Sequence, residues 1–283
     1  MMNLATELIA QLERFAARSP LPRVRALHLP RADLALSKNG EFCALELTDG
    51  SLGLSYVLLD DTLARLAEGR DGLGLAGADA LAVARRYVVG SGPERTLGFA
   101  AVNALTRCLF DRAGYLPPPS ADSIGHLAPE AGDHVGMIGL FTPLVGQCTA
   151  AGAQLTVVEL KPELAGERDG YRVTLDVGEL AACNKILSTS TVLLNDTLDR
   201  MLAACTGARS FAMIGPGAAC LPDPLFARGV TLLGGSWVVD RAGFVDALAR
   251  GASWSAHARK FAIHAADYPG CTALLARLGR EGA

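Results

Sequence analysis

The stretch "DHVGMIGLFTPL", residues Asp133–Leu144, decides how the second half of the chain is interpreted. Its apolar run, 135–138, ends at Gly139 and is followed by Leu-Phe-Thr-Pro. A short apolar run bounded by glycine is typical of a strand buried on both faces of a parallel sheet. Pro143 suits the first turn of a following helix, where no amide donor is needed. The stretch predicts a strand that runs into a ligand loop, although the G-x-G-x-x-G spacing of a dinucleotide site is absent from the sequence.

The same alternation of strand and helix continues along the chain. We expect further strands at 154–160, 184–190, 209–215 and 230–239, and helical segments at 143–152, 194–205 and 222–229. The strands are almost entirely apolar, which indicates a Rossmann-like, doubly wound parallel sheet. In this architecture ligands bind at the carboxyl ends of the strands. Functional residues are therefore expected directly after each strand.

The first third of the chain predicts a small α+β unit. The opening segment places Leu4, Leu8 and Leu12 at helical spacing. Asn39-Gly40 and Asp49-Gly50 separate three short alternating runs, the first at 34–38, which indicates a three-stranded antiparallel meander. Two helices should follow over 79–88 and 94–111, the second rich in small residues that allow close packing.

Three consecutive prolines at 117–119 stiffen the chain and exclude a helix there. We therefore predict two domains, an α+β domain at 1–116 and a Rossmann-like domain at 117–283. A chain of 283 residues also exceeds the usual size of a single core.

Composition limits the classes of function. Half of the residues are hydrophobic, 19% are charged, and the formal net charge is −3, with no basic stripe for nucleic acid. No apolar run reaches the ~18–20 residues of a membrane helix, and the start lacks the features of a signal peptide, so we predict a cytoplasmic protein. The seven cysteines form no C-x-x-C pair, which favours buried, reduced thiols. The apolar composition favours a homodimer.

Candidate ligand-binding residues follow the predicted strands. Glu159 lies 20 residues after Gly139, the separation at which Rossmann domains place the acid that binds a ribose. The alternative is an exposed carboxylate before a turn. Four hydroxyl residues at 188–191 exceed what helix capping needs, and Asn195 follows them. Gly215-Pro216-Gly217 predicts a rigid turn at the same edge. Cys220 follows, either as a soft metal ligand or as a small buried residue.

Six segments of the chain carry a resemblance to a known family. They are AAVNAL (100–105), VGMIGLFTPLV (135–145), VVELKP (157–162), STSTVLLNDTLD (188–199), IGPGAACLPDPLFARGV (214–230) and GGSWVVD (234–240). On these segments the chain resembles the heavy-metal chelation family of bacterial and archaeal proteins. The resemblance implies an enolase N-terminal-like α+β domain before a Rossmann-like domain, with the site between them and Asn103 facing it. Asp196 stands where the family usually has glycine, which either changes the charge of the site or caps a helix.

Two hypotheses of function follow. The first is binding of a metal ion or a small metal-chelating molecule in the cleft between the domains, in metal homeostasis or metallocofactor metabolism. Its metal would be a transition metal, with Glu159, Asp196 and Cys220 as donors. The second is a transferase-like enzyme that uses a nucleotide-like, adenosine-containing cofactor, with Glu159 on the ribose.

Both hypotheses use the same lining residues, and neither assigns a catalytic residue. These residues are Asn103, Gly139, Leu140, Phe141, Thr142, Glu159, Thr191, Asn195, Gly215, Pro216 and Gly217. A third possibility is a dimeric scaffold whose crevice is vestigial, in which case the small residues around Asn103 serve packing only.

Overall fold

The computed structural model describes residues 3–31, 33, 40–122 and 124–278. Within this range, the N-terminal part of the chain, up to residue 116, folds into a three-stranded sheet covered by helices. Its elements are α1 (Leu4–Ala16), β1 (Val24–His28), β2 (Phe42–Leu47), β3 (Leu52–Tyr56), α2 (Thr62–Glu68), α3 (Ala80–Val89) and α4 (Pro93–Arg112).

The small sheet is antiparallel in the order β1-β2-β3. The predicted turn at Asp49-Gly50 is confirmed, since it joins β2 to β3 and the Asp49 carboxylate accepts a hydrogen bond from Ser51 N at 3.0 Å. The first run of the predicted meander, 34–38, and Asn39 lie outside the described residues. The strand that pairs with β2 on its other side is β1, earlier in the chain.

Helix α4 packs directly on β3 through residues without bulk. A Cβ built on Gly53 would lie 2.1 Å from Ala100 O and 2.2 Å from Ala104 N, so only glycine permits this approach. The predicted role of the small residues of α4 is confirmed. Asn103, on the same helix face, therefore lies close to the backbone of the small sheet.

The rest of the described chain forms an eight-stranded sheet in the order β11-β10-β9-β8-β4-β5-β7-β6. The strands are β4 (His134–Ile138), β5 (Gln154–Val158), β6 (Gly166–Arg168), β7 (Tyr171–Thr174), β8 (Lys185–Thr189), β9 (Ser210–Ile214), β10 (Leu232–Val238) and β11 (Ala258–His264). The helices are α5 (Thr142–Ala150), α6 (Leu198–Ala204), α7 (Asp223–Phe226), α8 (Arg241–Arg250) and α9 (Cys271–Arg277).

The predicted α/β fold class is confirmed, with two corrections to its detail. Strands β6, β7 and β11 were not predicted, and the sheet is not entirely parallel because β6 and β11 run antiparallel to their neighbours. Both antiparallel strands lie at an edge of the sheet. Their sequences, GER and ARKFAIH, carry the charged residues that edge strands show to solvent, so they lack the apolar signal of central strands.

The N-terminal part packs tightly against the large sheet. One buried cluster runs from Leu8 in α1 to Leu274 in α9. Tyr87 donates a hydrogen bond to Leu193 O at 2.6 Å, and Arg228 pairs with Glu7 at 2.8 Å. The hydrogen bond from Arg228 lowers the pKa of Glu7. The division at residue 116 stays a prediction.

The described helices include none that is both long and apolar enough to cross a membrane. Six of the seven cysteines are buried and the seventh, Cys205, is partly buried, as free thiols.

Candidate functional site

The strand order reverses between β4 and β8. From β4 the chain proceeds to β5 and β7 on one side, and from β8 it proceeds to β9 and β10 on the other. At such a reversal the connections diverge and leave a crevice at the carboxyl ends of the strands. We call the end of the sheet where the parallel strands have their carboxyl ends the carboxyl edge, and the opposite end the amino edge. Neither term refers to the outermost strands. The two loops at the reversal, residues 139–143 and 189–195, are the switch-point loops.

The first switch-point loop is held in place by Glu159. Leu140 N donates to Glu159 Oε1 at 2.7 Å, and Phe141 N donates to the sulfur of Met137 at 3.4 Å. Gly139 has φ +83°, and a Cβ there would lie 2.9 Å from Thr189 Cγ2, so the two loops touch at this glycine. Thr142 is exposed in the first turn of α5, which has no side-chain cap.

Glu159 directly follows β5, the second strand of the doubly wound order. Its Oε2 accepts from Leu160 N at 3.1 Å, so each carboxylate oxygen already accepts one backbone N–H. Each oxygen retains a second lone pair for a ligand. Glu159 therefore lies at a strand end, as predicted. Its carboxylate also holds the backbone of the adjacent loop, which the sequence did not indicate.

Tyr56 brings the N-terminal part to this edge. It is the last residue of β3, is partly buried, and packs edge-on against Phe42 with ring centroids 5.6 Å apart. Burial raises the pKa of its phenol, and the negative charges of Glu41 and Glu159 raise it further. Both carboxylates therefore act on this one phenol. Neither Tyr56 nor Glu41 was predicted, since neither follows a strand of the large sheet.

The second switch-point loop is a chain of local hydroxyl contacts. Thr189 Oγ1 accepts from Thr191 N at 3.2 Å and lies 3.0 Å from Thr191 Oγ1. These residues cap a 3₁₀ turn at Ser190–Leu193 rather than helix α6, whose N-cap is Thr197. Asn195 Oδ1 accepts from Thr197 Oγ1 at 2.6 Å, so this side chain closes a turn. Thr189 and Thr191 are both partly exposed.

The backbone conformation at Asp196 explains why the family usually has glycine at this position. Its φ is +58°, a left-handed conformation that glycine adopts at no cost and aspartate tolerates better than most residues. Its exposed carboxylate pairs with Arg95 at 2.6 Å, and the two residues line a cavity of about 70 Å³ together with Tyr87. The carboxylate makes no cap for α6. Its charge is compensated by Arg95.

Asn103 is buried, with 1% of its surface exposed, between the two parts of the chain. Its Nδ2 donates to Leu54 O of β3 at 2.7 Å and to Gly217 O at 2.9 Å. Its Oδ1 is buried without a hydrogen-bond partner. Asn103 thus joins the small sheet to the turn Gly215-Pro216-Gly217, which follows β9 at the carboxyl edge.

The donors suggested for a bare metal ion do not fit one. Cys220 is fully buried within the hydrophobic core, and this burial raises the pKa of its thiol to about 12. Throughout the described parts of the chain, no group of three His, Cys, Asp or Glu side chains lies together as a metal site. Glu159, Asp196 and Cys220 accordingly form no such group.

The amino edge carries a different surface. A cavity of about 580 Å³ opens there, lined by the first residues of β4 and β5, His134 and Gln154, and by Tyr171, Arg172 and Glu179 among others. His134 Nε2 lies 2.8 Å from Thr156 Oγ1, and burial lowers the pKa of this imidazole. Sequence reasoning placed no functional residue at this edge.

Comparison with known proteins identifies the family. The model of the DUF364 family, described as "Putative heavy-metal chelation", matches residues 122–267, more than half of the chain. The chain therefore belongs to this family, and the resemblance seen in the six segments is confirmed. None of the curated proteins compared with the chain matches it.

Two crystal structures of DUF364 proteins share the fold. One, from Desulfitobacterium hafniense, is 19% identical with a TM-score of 0.67, and the alignment covers 92% of this chain and 97% of that one. The other, from Pyrococcus horikoshii, is 21% identical with a TM-score of 0.67, covering 93% of this chain and all of that one. At these identities the likeness establishes the fold over nearly the whole length.

Proposed function

We propose that the protein binds a small metal-chelating molecule, as its metal complex, at the carboxyl edge between the N-terminal part and the switch-point loops. The observation that carries the proposal is the junction at Gly139. There the two loops of the strand-order reversal touch, and Glu159 holds one of them through Leu140 N. Such a reversal is where doubly wound sheets bind ligands. The family's description supplies the chemical class.

A metal complex fits this edge better than a bare ion. The polar side chains of the loops are engaged in local hydrogen bonds, and their free capacity is a few single acceptors and hydroxyls. Such groups recognise a molecule by shape and hydrogen bonds, whereas a structural metal site needs about four convergent donors. The chelator would therefore supply most ligands to the metal. In this proposal the metal is cargo.

Charge supports the same choice. Glu41 and Glu159 act on Tyr56 from one side of the edge, and a negative potential attracts a cation and repels a phosphate. A complex of a divalent metal with a neutral or singly charged chelator suits this potential. Tyr56, Glu159 and Thr191 are the side chains we assign to the ligand.

A second candidate is a transferase-like enzyme with an adenosine-containing cofactor. The strand order, 3-2-1-4-5-6 with one antiparallel strand added at each side, and the place of Glu159 directly after the second strand favour it. The bonds from Leu140 N and Leu160 N leave one lone pair free on each Glu159 oxygen, so Glu159 could accept from a ribose as well as from a chelator. The potential at Tyr56 also makes S-adenosylmethionine, a cation, a better fit than an adenine nucleotide.

A thermal-shift screen of metal-stripped protein separates the candidates. One arm holds the histidine complexes of Ni²⁺ and Co²⁺, a second the free ions, and a third S-adenosylmethionine and adenine nucleotides. A ligand at 100 times its Kd should stabilise the fold by about 2.7 kcal/mol, which raises the Tm of a chain of this size by roughly 5 °C. We expect the largest rise in Tm in the first arm, with the histidine complexes of Ni²⁺ and Co²⁺. A shift confined to the third arm would favour the cofactor-dependent enzyme.

Matched variants assign the shift to the carboxyl edge. Glu159→Gln keeps an acceptor for Leu140 N but removes the charge, and Tyr56→Phe removes only the hydroxyl. Both should abolish most of the shift. The controls are Glu163→Gln, at an exposed glutamate four residues away, and Tyr171→Phe, at a partly buried tyrosine of the amino-edge cavity. An equal loss in the controls would refute the assignment.

A further inference from the structure

Two histidines meet at the amino edge, outside every segment used above. His264 is the last residue of β11 and pairs with Leu232, the first residue of β10, so it lies at the amino edge. Its Nε2 is 3.0 Å from Nδ1 of His126. The ring centroids are 5.0 Å apart, and the planes are inclined at 50°. Sequence reasoning missed the pair because its members lie 138 residues apart.

We propose that His126 and His264 form a binding site for a borderline divalent transition metal, with Cu²⁺ bound most tightly and Ni²⁺ and Zn²⁺ less so. With metal–nitrogen bonds of about 2.0–2.1 Å, adjacent ligand nitrogens are about 2.9–3.4 Å apart in square-planar and tetrahedral sites. The separation of 3.0 Å between the two ring nitrogens lies in this range. Rotation of the rings away from their mutual hydrogen bond would direct both lone pairs at one ion.

The outer nitrogen of His126 is already fixed. Its Nε2 lies 2.9 Å from Ser120 Oγ, which accepts the ring N–H in the tautomer that leaves the Nδ1 lone pair for a metal. Metal-binding histidines commonly donate their second N–H in this way, which sets the tautomer and the ring orientation. In that tautomer of His126 the proton of the shared hydrogen bond lies on His264 Nε2. A metal would replace this hydrogen bond, and His264 would bind it in the tautomer that carries the proton on Nδ1.

The loop that carries His126 is held rigidly. The neighbours Ile124 and Leu127 are buried in the core under the sheet. The Asp122 carboxylate accepts from Ile124 N at 2.7 Å and from His126 N at 3.2 Å. His126 itself has φ +54°, an uncommon conformation outside glycine that persists where the surroundings fix it. The imidazole is thus placed before any metal arrives.

The site is open to solvent and incomplete by itself. His126 is exposed and His264 is partly exposed. Two imidazoles leave at least two coordination positions of the ion to water or to a small chelator. This site suits exchange of a metal rather than its permanent storage. It lies at the opposite edge of the sheet from the proposed chelate site and does not depend on it.

The test is a Cu²⁺ titration of untagged, metal-stripped protein, followed by calorimetry and electron paramagnetic resonance. We expect one saturable equivalent whose spectrum shows coupling to two imidazole nitrogens. His126→Ala and His264→Ala should each abolish that equivalent, and Ser120→Ala should weaken it about tenfold. His257→Ala is the matched control, since His257 is another partly exposed histidine, paired with Asp240 at 2.9 Å.

The conservative variant His264→Gln distinguishes a loss of metal binding from a loss of folding. Its amide can still donate to His126 Nδ1 but is a poor transition-metal ligand, so it should keep the Tm and lose the Cu²⁺ equivalent. Unchanged stoichiometry and affinity in His126→Ala and His264→Gln would overturn the proposal. So would a loss of the equivalent in His257→Ala. Binding of Ni²⁺–histidine at the carboxyl edge should be the same in all of these variants.

Discussion

The two edges of the large sheet use polar side chains in different ways. At the carboxyl edge, Glu159, Thr189 and Asn195 are each hydrogen bonded within or between the loops, and Asn103 ties the turn after β9 to the small sheet. At the amino edge, two imidazole nitrogens face each other at 3.0 Å. The first arrangement shapes a crevice and leaves few donors for a ligand, while the second brings two imidazole nitrogens together that share one hydrogen bond. This difference underlies our two proposals, a metal complex at the carboxyl edge and a metal ion at the amino edge.

The largest effect is expected at Asn103. Asn103→Ala removes both hydrogen bonds that join β3 to the turn at 215–217, so Leu54 O loses its bond from Asn103, while Gly217 O keeps a hydrogen bond from Ala219 N at 2.9 Å. We expect a loss of about 2–4 kcal/mol in the free energy of unfolding, measured by urea denaturation. Thr106→Ala, one turn further along α4, is the control and should cost about 1 kcal/mol, since its acceptor Val102 O lies within the helix. Equal losses would show that Asn103 only fills space.

Asp133 anchors the amino edge as Asn103 anchors the other. Its buried carboxylate lies 2.6 Å from Lys185 Nζ and 2.5 Å from Arg209, next to the starts of β8 and β9. Asp133→Asn leaves the buried Lys185 ammonium without a countercharge. Because the Arg209 side chain is exposed, we expect the free energy of unfolding at pH 7 to fall by about 2–3 kcal/mol. This loss is below the usual range for a fully buried pair.

The same residue gives a pH dependence. The hydrogen bond from Lys185 lowers the pKa of the Asp133 carboxyl in the folded protein. Its contribution is therefore complete above the unfolded pKa of about 3.9 and declines as the pH falls through the lowered folded value. The stability difference between wild type and Asp133→Asn should shrink below about pH 4. A difference that stays constant to pH 2 would contradict the ion pair.

Gly139 tests the contact between the switch-point loops. Gly139→Ala imposes φ +83° on a residue with a Cβ and brings that atom within 2.9 Å of Thr189 Cγ2. We expect a loss of about 1–3 kcal/mol in thermal unfolding. Thr189→Ser removes Cγ2, so the cost of Gly139→Ala should be smaller in that background. If Thr189→Ser makes no difference, the loops are not in contact in solution.

Asp196 gives the smallest expected effect. Asp196→Gly loses an exposed ion pair with Arg95 but relieves the left-handed backbone, so stability should change by less than about 0.5 kcal/mol. Asp196→Ala loses the pair and keeps the strain, so it should be about 1 kcal/mol less stable than the glycine variant. Neither change should alter binding at the carboxyl edge, because Arg95 compensates the charge. Altered binding in Asp196→Gly would place the carboxylate in the site.

The central strands and most helices could be predicted because burial on both faces imposes a continuous apolar run. The edge strands β6 and β11 could not, since their exposed positions carry charges that a loop would carry as well. Gly139 and Glu159 were predictable because the carboxyl ends of parallel strands meet at one edge. Tyr56, His126 and His264 were not, because they reach their positions through the packing of distant segments. Asp196 was noticed in the sequence only as a departure from the family pattern, and its backbone angle explains the glycine.

The most direct test of the central claim is calorimetric titration of Ni²⁺–histidine in a His126→Ala/His264→Ala background, which removes the amino-edge site. We expect one binding event. Glu159→Gln and Tyr56→Phe should each lower its affinity at least about tenfold, or by 1.4 kcal/mol. Glu163→Gln and Tyr171→Phe should leave it unchanged. Binding that is indifferent to Glu159 and Tyr56, or that is matched by the free Ni²⁺ ion, would contradict a chelate site at the carboxyl edge.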